Sequence, residues 1–440
     1  MTQPHVRSRA LVLGAGTAGL LAARVLAEAF AEVLVLDRDP LAGAGGERTG
    51  VPQGRHAHVL LGRGQQVLEE LFPGFTEDAV VAGSPVADFG ALRSYVGSRR
   101  LRPARTGALC LSMTRPALDA RLLARLRTIP SVRLLAGTAA LGLVADAGLV
   151  RGVRVRSEPS GNDEVIEADL VVDATGRTSR TPAWLAELGY RPPVEELVEL
   201  ELISTTRYYH LPDEAILGGD LAIEVLATAE QPVGAWFGRL GGGRCVLSMT
   251  GVPGRGAPTD PAALLDRVRA LPVPDIADVL AVAEPIDDAV SSRFGGSLRR
   301  RYEQLDRLPE RLLVMGDAAC SLNPAYHQGS TVAAQQALLL RDQLRYGMPE
   351  AAVFAKDQAG LLDVAWNAAL GADLSRGAVA GECDEDVVVS NAFLAKLRSA
   401  ATRDAVLARA LRRVTGLIDP PESLMTSDIV ARAMGPGGTR

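Results

Sequence analysis

Lysine is almost absent from this 440-residue sequence, Lys356 and Lys396 being the only two. With abundant Ala, Gly and Leu, a basic complement made almost entirely of arginine reflects a GC-rich genome and carries no mechanistic content. Cysteine is scarce too. Cys110, Cys245, Cys320 and Cys383 are scattered without metal-ligand spacing, and a chain this long needs no disulfide staples, so free thiols in the cytoplasm are expected. No stretch reaches about eighteen uninterrupted apolar residues, which argues against a membrane span, while the amphipathic C-terminal region leaves peripheral contact open. The run behind Arg7 and Arg9 looks like a secretory signal ending at Ala27-Glu28-Ala29, but Arg24 and Glu28 interrupt it, and export is not expected. A net charge of −5 with 47% hydrophobic residues excludes disorder and gives nucleic acid no basis as a partner. What remains is a cytoplasmic enzyme of two or three domains.

What is present is concentrated in two stretches. Arg9 to Leu13 reads as a short, buried parallel strand, and Thr17 to Phe30 places Leu20, Leu21, Val25 and Leu26 at helical spacing. Between them lies Gly14-Ala15-Gly16-Thr17-Ala18-Gly19. In that setting Gly14 permits a tight turn, Gly16 lets the backbone approach a pyrophosphate, and Gly19 lets helix and strand pack closely. The helix start at Thr17 and Ala18 offers free N–H groups to the anion. The next strand, Val33 to Leu36, ends on Asp37 and Arg38, about twenty residues past the glycines, where a carboxylate accepts from adenosine ribose hydroxyls. Far downstream, Leu312 to Met315 is another buried strand, and Gly316-Asp317 at its end places a carboxylate for ribityl hydroxyls. After Pro324-Ala325-Tyr326-His327-Gln328, a helix opening at Gly329 and Ser330 points its positive dipole end where a reduced flavin carries negative charge. The first stretch suits any dinucleotide; the second, which NAD-binding domains lack, argues for FAD.

The rest organises around these motifs. Thr114-Arg115-Pro116 opens a helix, with Thr114 as cap and Leu118, Leu122 and Leu126 on one face. Short strands follow at Val132 to Leu135 and Leu149 to Arg156, and Asp169 to Asp173 enters the turn Ala174-Thr175-Gly176-Arg177. Strand-like runs at 198–210, 221–228, 234–240 and 244–250 read as an inserted antiparallel sheet. The expected fold is α/β: a glutathione-reductase-type, Rossmann-like FAD-binding domain over 1–191 and 301–346, a substrate-binding sheet over 192–300, and a helical region over 347–440. Tyr208, Tyr209, His210, Trp236 and Phe237 lie on strands of that sheet and are candidates for an apolar substrate pocket or for simple core. His56 and His58 lack a third metal ligand and more plausibly orient a loop, so no metal is expected. Arg299-Arg300-Arg301 reads as a solvated turn, against the sharper reading of an acidic-carrier or pyrophosphate site.

The motifs from Gly14 to Gly19, Asp37, Arg115, Asp173 to Gly176 and Gly316-Asp317 with Pro324 and Gly329 occur in the order of the class A flavoprotein monooxygenases, which this chain resembles over nearly its whole length. The segment Val51-Pro52-Gln53-Gly54-Arg55-His56-Ala57-His58, residues 169–177 and the C-terminal stretch 401–434 are similar to squalene-epoxidase-like bacterial enzymes, most of all the polyene epoxidases of polyether antibiotic pathways. The resemblance implies FAD, reduction by NAD(P)H or a separate flavin reductase, O2 as co-substrate, and epoxidation or hydroxylation of a hydrophobic polyketide or terpenoid through a flavin C4a-hydroperoxide. It further implies that Arg115 and Asp317 hold the FAD, that residues 51–55 run beside its ring, and that Pro324, Tyr326 and His327 border the reacting face, with His327, Tyr326 and Arg55 as catalytic candidates. Two departures stand out. Thr175 replaces an aspartate that helps nicotinamide use in classical hydroxylases, and His327 replaces a glycine. The second keeps open a cyclase that uses the flavin as scaffold, without redox turnover. A halogenase would require a Trp-x-Trp-x-Ile-Pro motif, yet Trp236 is followed by Phe237-Gly238. A flavin-dependent reductase stays open as a lesser alternative.

Overall fold

The computed structural model describes residues 7–41, 52–158, 161–375 and 385–435. Val51, most of the glycine-rich connection before it, and Cys383 lie outside the described residues.

Five parallel strands form the nucleotide-binding sheet in the order Leu312–Val314, Leu170–Asp173, Arg7–Leu13, Phe30–Asp37 and Val132–Ala136. Their apolar runs are buried on both faces, Ala10 to Leu13 having no exposed surface, as expected of a sheet covered on each side by other layers. The first helix is shorter than its periodicity suggests. It spans Thr17–Leu26, and Phe30 already pairs with Arg7 in the sheet. Glycine geometry explains the join: Gly14 has φ +95°, and a Cβ on Gly19 would lie 1.8 Å from the Gly14 carbonyl oxygen, so helix and turn close only without side chains there. The helix Arg115–Leu126 is capped by Thr114, whose hydroxyl accepts from the Ala117 N–H, and it buries Leu118, Leu122 and Leu126.

A second, nine-stranded sheet supplies the inserted layer. Its backbone is the 17-residue strand Val194–His210, antiparallel to Val290–Arg301 on one side and Arg244–Gly251 on the other. Gly234–Gly241 and Ala222–Leu226 continue it, and then a strand from outside the 192–300 segment, Arg93–Val96, adds in parallel. Cys320–Ser321 joins at the other end. Two helices that the sequence reading did not anticipate, Pro261–Arg269 and Asp275–Leu280, pack Leu264, Val268, Ile276 and Val279 against this sheet.

Arg299, Arg300 and Arg301 do not form a solvated turn. They end the strand Val290–Arg301, where Arg299 is fully buried and Arg300 nearly so. Arg299 donates to Asp363 at 2.5 Å, Arg300 to Glu195 at 2.8 Å, and Arg301 to Glu196 at 2.5 Å, so carboxylates from neighbouring elements neutralise the run. Helices from Gly329 onward complete the molecule, and the last of them, Glu385–Ala401, Ala405–Thr415 and Ser427–Met434, share a small core with Leu101. Cys110, Cys245 and Cys320 are free and buried. Among the described residues no helix is long and apolar enough to cross a membrane, and no cluster of His, Cys, Asp and Glu could hold a metal.

Candidate functional site

A cavity of about 1540 Å³ runs among the parallel strand ends, the large sheet and the C-terminal helices. It exceeds the roughly 300–1,000 Å³ of an ordinary ligand pocket, leaving room for a dinucleotide and a further molecule.

The strand ends build one part of it. Gly14, Gly16, Thr17, Ala18, Asp37, Arg38 and Arg115 line the wall, whereas Gly19 packs behind it. A Cβ on Gly16 would meet nothing nearer than an Arg115 guanidinium nitrogen at 3.5 Å, so this position opens onto the cavity. No side chain caps the helix Thr17–Leu26, which leaves its first N–H groups for an anion. Asp119 accepts from both the Thr17 hydroxyl, at 3.1 Å, and Arg115 Nε, at 2.9 Å, and thereby orients the two together. Asp37 accepts from the Ala15 N–H at 2.7 Å and from the Asp39 N–H at 2.9 Å, which fixes its carboxylate at the strand end in the cavity wall.

Gly316, Asp317, Thr175, Gly176 and Arg177 line the adjoining stretch. Gly316 sits at φ +63°, and a Cβ there would lie 2.6 Å from that of Ala18, so the two motifs touch. Asp317 makes no hydrogen bond to any described residue. Burial raises its pKa, and the Arg115 and Arg177 charges only partly oppose that rise. A half-buried carboxylate without a donor from the protein, opening onto the cavity, is what ribityl hydroxyls would satisfy. Thr175 donates through both its N–H and its hydroxyl to Asp173, which fixes the turn. The residues therefore fit FAD.

Beyond it, Pro324, Tyr326, His327, Gly329 and Ser330 line the cavity at the uncapped start of the helix Gly329–Leu344. Tyr326 donates to Asp373 at 2.6 Å and Asn323 Nδ2 to the same oxygen at 2.9 Å, which anchors this loop to the helix Ala351–Ser375. His327 adopts φ +55°, a left-handed conformation that glycine would take without steric cost. Its ring centroid lies 5.3 Å from that of Trp236. Burial lowers the His327 pKa, with Glu224 opposing. His58 is pressed to about 3 by burial and then by the Arg115 charge, and His56 is lowered by burial. His56 Nδ1 pairs with the Thr206 hydroxyl at 2.8 Å and His58 Nδ1 with the His56 carbonyl at 2.8 Å, so the loop is held to the sheet by neutral imidazoles.

Three anticipated residues fall elsewhere. Arg55 is exposed, and its carbonyl accepts from the Tyr208 hydroxyl at 3.0 Å. Tyr208 stacks under Arg244, and His210 is exposed beside Gly243, neither of them in the cavity wall. Both share a strand face with Ser204, which does line the cavity, but at about 3.3 Å per residue the strand has run past it by Tyr208. Of the five pocket candidates on the large sheet, Tyr208, Tyr209, His210, Trp236 and Phe237, Trp236 alone lines the cavity. Glu224 and Arg412 in the wall were not anticipated; the signal for Arg412 was a basic residue at helical spacing from the buried Ala408.

The FAD dependent oxidoreductase family matches residues 10–191. Protein Rv3254 of Mycobacterium tuberculosis is 35% identical over 362 residues, 77% of this chain and 73% of that protein. Among solved structures, the flavin-dependent brominase Bmp2 superposes with a TM-score of 0.65 at 15% identity, over 92% of this chain and 93% of that one. The structure of pqsL, a probable FAD-dependent monooxygenase from Pseudomonas aeruginosa, does so with 0.62 at 18% identity, over 93% and 98%. At such identities the structural likeness concerns the fold.

Proposed function

The chain belongs to the FAD-dependent oxidoreductases, and from that premise we propose that it is a monooxygenase that epoxidises or hydroxylates a hydrophobic polyketide or terpenoid. The observation carrying this reading is the continuity of one cavity from the glycine turn and Asp317 to the Trp236 and His327 wall, under the C-terminal helices. Bound FAD would supply electron transfer and activation of O2, with NAD(P)H or a flavin reductase as the electron source. The protein's share is placement. Arg115 and the uncapped helix start would neutralise the pyrophosphate, Asp317 would hold the ribityl chain, and the N–H groups opening the helix Gly329–Leu344 would face the flavin's negative edge. The C-terminal helices exclude water, and neutral His327 holds a ring N–H available to donate to a reacting oxygen.

The test is direct. Purified protein should show flavin absorbance near stoichiometric occupancy, and the reduced enzyme mixed with O2 and polyene polyketides or terpenoids should yield a product heavier by one oxygen atom. Protein without flavin, or turnover in the absence of reductant and O2, would sink the proposal, the latter outcome selecting a cyclase that uses the flavin as scaffold.

A further inference from the structure

One wall of the cavity carries a carboxylate in mainly apolar company. Glu224, on the strand Ala222–Leu226, lines the cavity together with Phe89, Leu92, Trp236 and Leu411. It pairs directly with Trp236 across the antiparallel ladder, so both side chains leave the same face of the sheet. Trp236 in turn packs on His327, and the charge of Glu224 is felt at that imidazole.

The two carboxylate oxygens are used unequally. Oε2 accepts from the Ser94 hydroxyl, which lies in register on the neighbouring parallel strand, and from Arg412 Nη1 at 3.4 Å. Arg412 is itself fixed. Its Nη2 donates to the Leu92 carbonyl at 3.3 Å and to Ser94 Oγ, and its guanidinium lies 5.6 Å from the Phe89 ring centroid. Oε1 has no hydrogen-bond partner among the described residues. Ser94 and Arg412 are therefore positioning residues that lock one oxygen and leave the other presented to the cavity. Water can pair such an oxygen in the empty cavity, but a ligand that displaces that water without bringing a donor leaves it unpaired.

We infer that Glu224 is a specificity-determining residue, accepting through Oε1 a hydrogen bond from a hydroxyl or N–H group on an otherwise hydrophobic substrate. The inference rests on the reading of this cavity as the substrate compartment of a flavoenzyme, and it narrows the substrate class from hydrophobic molecules in general to those with a donor. An ether or a pure hydrocarbon of the same shape would leave Oε1 unsatisfied and is disfavoured. Preference arises because a polar group built to be paired rejects the analogue lacking its partner.

The experiment compares farnesol with farnesyl methyl ether, which has the same chain and no donor, on the FAD-loaded protein without reductant. Binding is followed by the flavin absorbance change and by tryptophan quenching, to which Trp236 contributes. Wild type should bind the alcohol about tenfold more tightly, equivalent to about 1.4 kcal/mol. Glu224→Gln keeps the shape and an oxygen for Ser94 and Arg412 but turns an amide N–H2 toward the cavity, so the preference should fall to parity. Flavin content and melting temperature check that this variant is folded, and the wild-type comparison needs no variant at all. Equal affinities in wild type, a preference that Glu224→Gln leaves intact, or failure of both probes to bind would each overturn the inference. Because no turnover is involved, the two readings fail separately. An alcohol preference without any oxygenated product in the turnover assay counts against the monooxygenase, and product without preference counts against Glu224.

Discussion

Three histidines in one cavity wall titrate in the same direction. His58 is held at about 3, against an ordinary 6.5, and burial also lowers His56 and His327. In the folded state these imidazoles refuse protons that the unfolded chain accepts below pH 6.5, so their contribution to stability is complete above that pH and is lost as the pH falls through their lowered folded-state values, for His58 toward about 3. The melting temperature of the apoprotein should therefore fall between pH 7 and pH 5. His58→Asn should flatten that dependence, and an unchanged slope would show that the imidazole is not buried as described. Asp317 responds in another observable. If its carboxylate accepts from ribityl hydroxyls, Asp317→Ala should weaken FAD retention about tenfold to a hundredfold, the equivalent of one charge-assisted hydrogen bond. The ratio of flavin to protein absorbance after gel filtration reads it. FAD affinity should also weaken as the pH falls through the raised Asp317 pKa, because protonation removes the charge that strengthens the acceptor.

At the scale of elements, the glycine turn separates fold from function. A Cβ on Gly14 would lie 2.6 Å from the Ala174 carbonyl oxygen at a φ of +95°, so Gly14→Ala should destabilise the protein by about 1–3 kcal/mol from backbone strain, with the clash added. Gly16→Ala meets only the end of Arg115 and should leave the apoprotein's urea midpoint nearly unchanged while lowering FAD content. Loss of both properties in both variants would contradict that division. The helix Ala405–Thr415 gives a complementary case, since Arg412 fastens it to the sheet strands through Ser94 and Glu224. Arg412→Ala leaves a half-buried carboxylate without its cation and should cost about 1.5–3 kcal/mol in urea denaturation.

For the molecule as a whole, the cavity is bounded by elements drawn from residues 13 to 424, so a ligand filling it ties all layers together. FAD binds the folded chain and not the unfolded one, and at a hundred times its Kd it should add about 2.7 kcal/mol. Calorimetry with increasing FAD should show one transition moving upward, whereas a second transition left in place would mark a layer that the flavin does not couple.

Local pattern was enough to read the cofactor. Gly14 to Gly19, Asp37 and Gly316-Asp317 could be recognised because a strand, a tight turn and a helix start are contiguous in sequence, and their chemistry follows from backbone geometry there. The capped helix at Thr114 and the runs of the inserted sheet were legible for the same reason, since periods of 3.6 and 2 are local properties. The substrate wall was not. Whether Tyr208, on the 17-residue strand, or Trp236, on the strand Gly234–Gly241, faces the cavity depends on where each strand passes it, and alternation along a strand cannot tell position along the cavity. Arg299 to Arg301 looked solvated because Asp363, Glu195 and Glu196 reach them only in three dimensions. Glu224 and Arg412 lie 188 residues apart. By itself the sequence determined the two motifs that fit FAD, because each is contiguous in the chain and its chemistry follows from local backbone geometry. Only the tertiary structure decided what the rest of the cavity presents, because burial and charge pairing there are made between segments that no local signal connects.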